Sequence, residues 1–196
     1  GFGDHMQYSV FRCELSDPHL LPIVDRHLGN PALRLMSVMD HTPGQRQWKN
    51  TELYRNFRRK KNAQVWTDDE FEMYLDERRA NQRDHVVPGR AHIGRAGKDF
   101  QVRIASHDDT TIADVDESHA DGITISEFPT SLEAAQRARD LGMKIVMGSP
   151  NVVFGKSHSG NVSALELNAA GLLDVLTSDY VPASLLHAAF ILAEKG

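Results

Sequence analysis

The sequence predicts an α/β protein organised around a parallel sheet, and three observations carry that expectation. Short apolar runs of strand length recur without strict alternation, at 35–41 (LMSVMDH), 102–109 (VRIASHDD) and 175–180 (VLTSDY), the pattern of strands buried on both faces. Helical segments with recognisable caps separate them, as strand–helix–strand units require. Each run also ends in a metal-capable side chain, and the carboxyl edge of a parallel sheet is where such folds place their chemistry. An open doubly wound sheet and part of a (β/α)8 barrel both satisfy this alternation. A complete barrel takes about 250 residues, and the chain has 196.

The elements follow in order. VFRCEL at 10–15 alternates, with Phe11 and Cys13 on one face and Arg12 and Glu14 on the other. The next helix has Asp17 as cap, Pro18 in its first turn, an apolar stripe of Leu20, Leu21, Val24 and Leu28, and Gly29 as its stop. After LMSVMDH the turn Thr42-Pro43-Gly44 leads to Gln45-Arg46-Gln47, a polar loop at the strand's end. Residues 50–61 carry Arg55, Arg58, Arg59, Lys60 and Lys61 around Tyr54 and Phe57, a solvated helix face or a cationic cover for a polyanion. A helix over 67–82 opens with a Thr67/Glu70 capping box. Residues 83–98, rich in Pro, Gly and basic side chains, are expected to be irregular and partly helical.

Beyond VRIASHDD, a helix over 110–120, a short strand at 123–125, a helix capped by Thr130 and a strand at 144–147 succeed one another. The loop 153–161 (VFGKSHSGN) is rich in glycine and donors and suits a phosphate, although it lacks P-loop spacing. Helices over 162–170 and 182–194 flank VLTSDY, giving six β-runs with no repeat or linker. One domain over 1–196 is expected.

Composition narrows the function. Hydrophobic residues make up 40% and charged residues 25%, ordinary for a globular protein. No apolar run reaches the roughly 18 residues of a membrane span, and the net charge of −5 argues against nucleic-acid binding. The lone Cys13 excludes an internal disulfide and fits a reducing compartment. A cytoplasmic protein without membrane or nucleic-acid partners is expected. Glu14, His41, His107 and Asp179 each close a strand, and mixed His and carboxylate sets suit Zn, Mn, Fe or Co. Asp108 and Asp109 are placed to orient imidazoles.

The segments MDHTPGQRQ, SHDD, EFPTSLEAA, GSPNVVFGKSHSGN and SDYVPASLL resemble the amidohydrolase-superfamily diphosphatases of phosphonate metabolism, from the carbon–phosphorus lyase pathway. The likeness runs from about Phe11 to the C-terminus. It implies a (β/α)8 TIM barrel of metal-dependent hydrolase type, of which this chain would be the C-terminal part, strands four to eight, with the first strands missing. It also implies two divalent ions, zinc by expectation, held by Glu14, His41, His107 and Asp179, with Asp179 as general base. Gln45, Arg46, Lys156, His158, Ser159 and Asn161 would bind a phosphorylated small molecule. The implied reaction takes a ribose 1-methylphosphonate 5-triphosphate to the 5-phosphate and pyrophosphate. The chain departs from the pattern with Phe154 and Lys156 where Arg and Gly are expected. Amidohydrolysis of a C–N bond and an inactive barrel fragment are the alternatives. A fragment would expose two sheet edges and so associate with itself as a homo-oligomer, bind the missing half, or be poorly stable, and the chain on its own is expected not to be a competent catalyst.

Overall fold

Six strands and eight α-helices alternate among the described residues, 9–155 and 161–195, of the computed structural model. The chain divides into two compact units, one ending at Ile104 and the other beginning at Ala105.

In the first unit, β1 (Ser9–Glu14) pairs in parallel with β2 (Leu33–Met39), in a register that sets Cys13 against Val38 and Glu14 against Met39. Because the two strands end together, Glu14 lies beside the residues that leave β2. Helix α1 (Leu20–His27) connects them and buries Leu20 and Val24. Asp17 accepts from the His19 amide at 2.8 Å and so caps the turn ahead of this helix, which begins two residues later than the Pro18 signal suggests. Helix α2 (Thr51–Asn62) is capped by Asn50, whose side chain accepts from the Leu53 amide at 3.0 Å. Helix α3 (Asp68–Asp99) starts with the expected Thr67/Glu70 capping box.

This last helix runs unbroken for 32 residues, where 83–98 was expected to be irregular. The supposed breakers have other uses. Pro88 is exposed, so its ring and its missing donor face water. Gly89 and Gly97 are buried on the packing face. A Cβ on Gly97 would stand 2.7 Å from Ile104 Cδ1 and 3.0 Å from the Val102 carbonyl, so only glycine lets the backbones approach this closely.

The second unit contains β3 (Arg103–His107, which begins at the boundary), β4 (Ile125–Glu127), β5 (Lys144–Gly148) and β6 (Val175–Thr177). They pair in sequential order and every pair is parallel. Helices α4 (Ile112–Ala120), α5 (Leu132–Asp140), α6 (Ser149–Phe154), α7 (Ala164–Ala169) and α8 (Ser184–Lys195) connect and cover them. Val115, Ala134, Ala135, Ala138, Ile145 and Leu167 are all fully buried. The small alanine face of α5 lets it lie close to the sheet. Ser131, not Thr130, caps α5 by accepting from the Ala134 amide, and Thr130 instead donates to Thr110 Oγ1 at 2.8 Å.

The six β-runs form strands, but the (β/α)8 TIM barrel of metal-dependent hydrolase type, expected in part as strands four to eight, is not what the chain forms. Closure needs a full circle of tilted, staggered strands. The described residues supply six strands in sequential order, short of that circle, and the outer-strand residues Val10 and Val175 remain 51% and 47% exposed. Nor does the second unit show the reversal of strand order that defines a doubly wound sheet.

Candidate active site

In the first unit, the shared carboxyl end of β1 and β2 builds a carboxylate–imidazole pair. Glu14 Oε2 lies 2.6 Å from His41 Nδ1, while Glu14 Oε1 accepts from the His41 amide at 3.0 Å and from Ser16 Oγ at 2.9 Å. The ring and its carboxylate are each about one-third exposed, so the pair is held rigidly and still reached by solvent. An ionised Glu14 puts the proton on Nδ1 and the lone pair on Nε2.

The neighbouring Asp40 fixes the loop that carries His41. Its Oδ1 accepts from the Thr42 amide at 3.0 Å and from Thr42 Oγ1 at 2.6 Å. Its Oδ2 accepts from Gln45 Nε2 and from Gln82 Nε2 of α3, both at 2.6 Å. Gln45, expected to meet substrate, thus ties its own loop to β2. Arg46 follows in a single 3-10 turn (Arg46–Trp48) with a left-handed φ of 44°.

The second unit repeats the carboxylate–imidazole design with greater burial. His107 ends β3, and its Nδ1 lies 2.8 Å from Glu127 Oε2 at the end of β4. Both side chains are nearly inaccessible, and the register sets His107 directly opposite Glu127. On the ring's other side, His107 Nε2 is 3.7 Å from Asp108 Oδ2. Two ligands bonded at about 2.0–2.1 Å to one tetrahedral ion stand about 3.4 Å apart, so this separation suits a shared ion. Among the described residues, His41, His107 and Asp108 are donors of the kind that hold a divalent metal. Asp109, expected to orient an imidazole, is fully buried against Ser106 Oγ and Ser118 Oγ instead.

Asp179 occupies the turn after β6 and is exposed. Its Oδ2 comes within 3.4 Å of where a Cβ on Gly148 would stand, and Phe128 Cε1 within 3.6 Å of the same point. Phe128 packs edge-on against His107, with ring centroids 5.2 Å apart. His107, Phe128 and Asp179 therefore gather at the carboxyl ends of β3 to β6. Asp108, Phe128 and Asp179 all take left-handed backbone, with φ of 56°, 56° and 47°. That conformation is uncommon for a non-glycine residue and costly for an aromatic one. Glu127 escaped the sequence reading, although a Glu closing a β-rich run is the same signal that singled out Glu14.

Asn161 is half-buried, in the segment that leads into α7. Lys156, His158 and Ser159 lie outside the described residues.

No family model and no solved structure matches the chain. Among curated proteins, alpha-D-ribose 1-methylphosphonate 5-triphosphate diphosphatase of Escherichia coli (strain K12) is 46% identical over 183 residues. This chain resembles that diphosphatase. The match takes in 93% of the chain and 48% of the relative, so the chain spans about half the length of the curated protein it matches. The resemblance drawn from the motifs is borne out.

Proposed function

We propose that the chain serves a metal-dependent phosphoanhydride hydrolase. Its reaction converts a ribose 1-methylphosphonate 5-triphosphate to the 5-phosphate and pyrophosphate. The single observation that carries this reading is the 46% identity to the diphosphatase, sustained over 183 residues.

Glu14 and His41 are the proposed metal ligands at the strand ends of the first unit, and His107 and Asp179 those of the second, where Asp108 lies beside His107. The donor chemistry fits. Each imidazole is fixed through Nδ1 by a carboxylate, at 2.6 Å for His41 and 2.8 Å for His107, an arrangement that settles the tautomer. A divalent ion held there, zinc in our reading, would lower the pKa of water enough to supply a nucleophile near neutrality.

The chain's own groups do the remaining work. Asp179, exposed at the sheet edge, accepts the proton of the attacking water. The Arg46 guanidinium and the Gln45 and Asn161 amides, with Lys156, His158 and Ser159, bind phosphoryl oxygens and offset charge on the departing pyrophosphate. Asp40 holds the loop of Gln45 and Arg46 in place. No described helix is long and apolar enough to cross a membrane.

The test pairs metal content with product. Zinc retained by the chain, together with pyrophosphate released from the triphosphate, supports the proposal. Zinc retained with hydrolysis of a cyclic amide alone would transfer the site to C–N chemistry, and absence of bound metal would end the metal-dependent reading.

A further inference from the structure

The basic, aromatic hairpin formed by α2 and the start of α3 carries chemistry of its own. Trp48, Tyr54, Trp66, Phe71 and Tyr74 pack together there. Tyr54 and Tyr74 stack at 13°, and their hydroxyls are 2.7 Å apart. Each ring also carries a guanidinium: Arg58 Cζ is 5.9 Å from the Tyr54 ring centre, and Arg78 Cζ is 5.6 Å from that of Tyr74.

The cluster has more donors than acceptors. One phenol donates to the other, which leaves the accepting hydroxyl with a proton of its own to give. The Nε atoms of Arg58 and Arg78 are buried and have no hydrogen-bond partner among the described residues. Burying such a donor without an acceptor is costly. Arg55 makes the contrast on the same helix: its guanidinium reaches Asp68 at 2.7 Å and the Trp66 carbonyl at 2.6 Å. Among the described residues, Arg58 has only Gln64 Oε1 at 3.1 Å, and Arg78 has Glu77 at 3.5 Å. Burial and the Tyr74 hydroxyl push the Tyr54 phenol upward, against the opposing pull of Arg58 and Arg78. It therefore stays neutral and remains a donor.

We propose that Arg58, Arg78 and the Tyr54–Tyr74 hydroxyl pair form a binding site for a phosphoryl oxyanion. Two guanidinium N–H groups and one phenolic O–H meet an acceptor-only ligand, and Arg is well suited to phosphoryl oxygens. The choice of a phosphoryl anion rests on the hydrolase reading above, while the excess of donors stands without it.

Trp48 lies 5.3 Å from Tyr54 and Trp66 lies 5.1 Å from Tyr74, centre to centre, so indole emission reports on the cluster. The probe is inorganic tripolyphosphate, titrated into the metal-free chain at fixed ionic strength. Saturable emission change is expected, with affinity reduced about tenfold or more in Arg58→Gln and in Arg78→Gln by loss of a charge-assisted bond. Tyr74→Phe weakens it less, and Lys60→Gln leaves it unchanged. If a Gln variant does not fold, R58K and R78K keep the charge, lose the Nε–H and are still expected to bind more weakly. Unchanged emission, or weakening by Lys60→Gln equal to that of the arginine variants, overturns the proposal. Because this titration is made without metal, its failure leaves the metal and pyrophosphate measurements standing, and theirs leaves it standing.

Discussion

Replacing Asp40 separates the geometry of the His41 loop from its charge. The carboxylate accepts four hydrogen bonds, two from Thr42 and one each from Gln45 and Gln82, at 2.6–3.0 Å, and it is 9% exposed. Asp40→Ala leaves all four donors without this acceptor. At about 1.5–3 kcal/mol for a bond to a charged group, and with strong non-additivity, the loss should be about 3–5 kcal/mol. Asp40→Asn keeps one oxygen for Thr42 and presents an NH2 group to the two glutamines. Both glutamine amides can turn over and accept from it, so all four bonds persist without charge assistance, and the loss should be about 1–2 kcal/mol. Urea unfolding with an unchanged slope measures both. Equal losses in the two variants, or losses below about 1 kcal/mol in both, would refute the claim that this carboxylate pins the loop.

Other substitutions test other parts of the account. Gly94 has nothing within 4 Å of an added Cβ, so Gly94→Ala should stabilise the chain by up to about 1 kcal/mol through helix propensity. Gly97→Ala gains the same propensity but meets Ile104 and the Val102 carbonyl, and overpacking of about 1–3 kcal/mol should leave it less stable than Gly94→Ala in the same urea series. Burial pulls the Asp174 carboxyl upward, but bonds from the Ile145 amide, Arg139 and Lys144 outweigh it and hold its pKa below the usual carboxylate value. A depressed folded-state pKa contributes stability above the unfolded value and loses it as pH falls through the folded one. Stability measured from neutral pH into the acid range should therefore fall less steeply in Asp174→Asn than in wild type; an identical fall would contradict this. Glu127→Gln should weaken zinc binding by about 10–100-fold in a competition assay with a chelating dye, because the carboxylate sets the tautomer of His107. Unchanged affinity would deny it that role.

Much of this was legible in the residues, for identifiable reasons. Strands announce themselves through short apolar runs closed by turn residues, and a strand forms at each of the six, although the one expected at 123–125 lies two residues later, at Ile125–Glu127. The Thr67/Glu70 capping box is likewise local, needing only four consecutive residues. What depends on distant partners was not legible. The continuation of α3 turns on Gly89 and Gly97 lying against Leu15 and Ile104, contacts that composition cannot show, so those glycines read as breakers. Helix α6 was missed within a loop-like stretch, where Pro150 occupies the first helical turn. The pairing of His107 with Glu127 follows from the register of β3 on β4, which periodicity leaves undetermined. The barrel was an inference from likeness, and likeness does not supply the strands that closure requires. Cys13 is fully buried, and burial pushes its thiol up to about 12, where it is neutral and inert.

The central claim is that the strand-end histidines hold a divalent metal. Elemental analysis of the purified chain, after equilibration with zinc and removal of excess, tests it most directly. The account predicts stoichiometric zinc, lost in His41→Ala and in His107→Ala while circular dichroism shows the fold intact. Zinc absent from the wild-type chain, or retained undiminished by both variants, would contradict it.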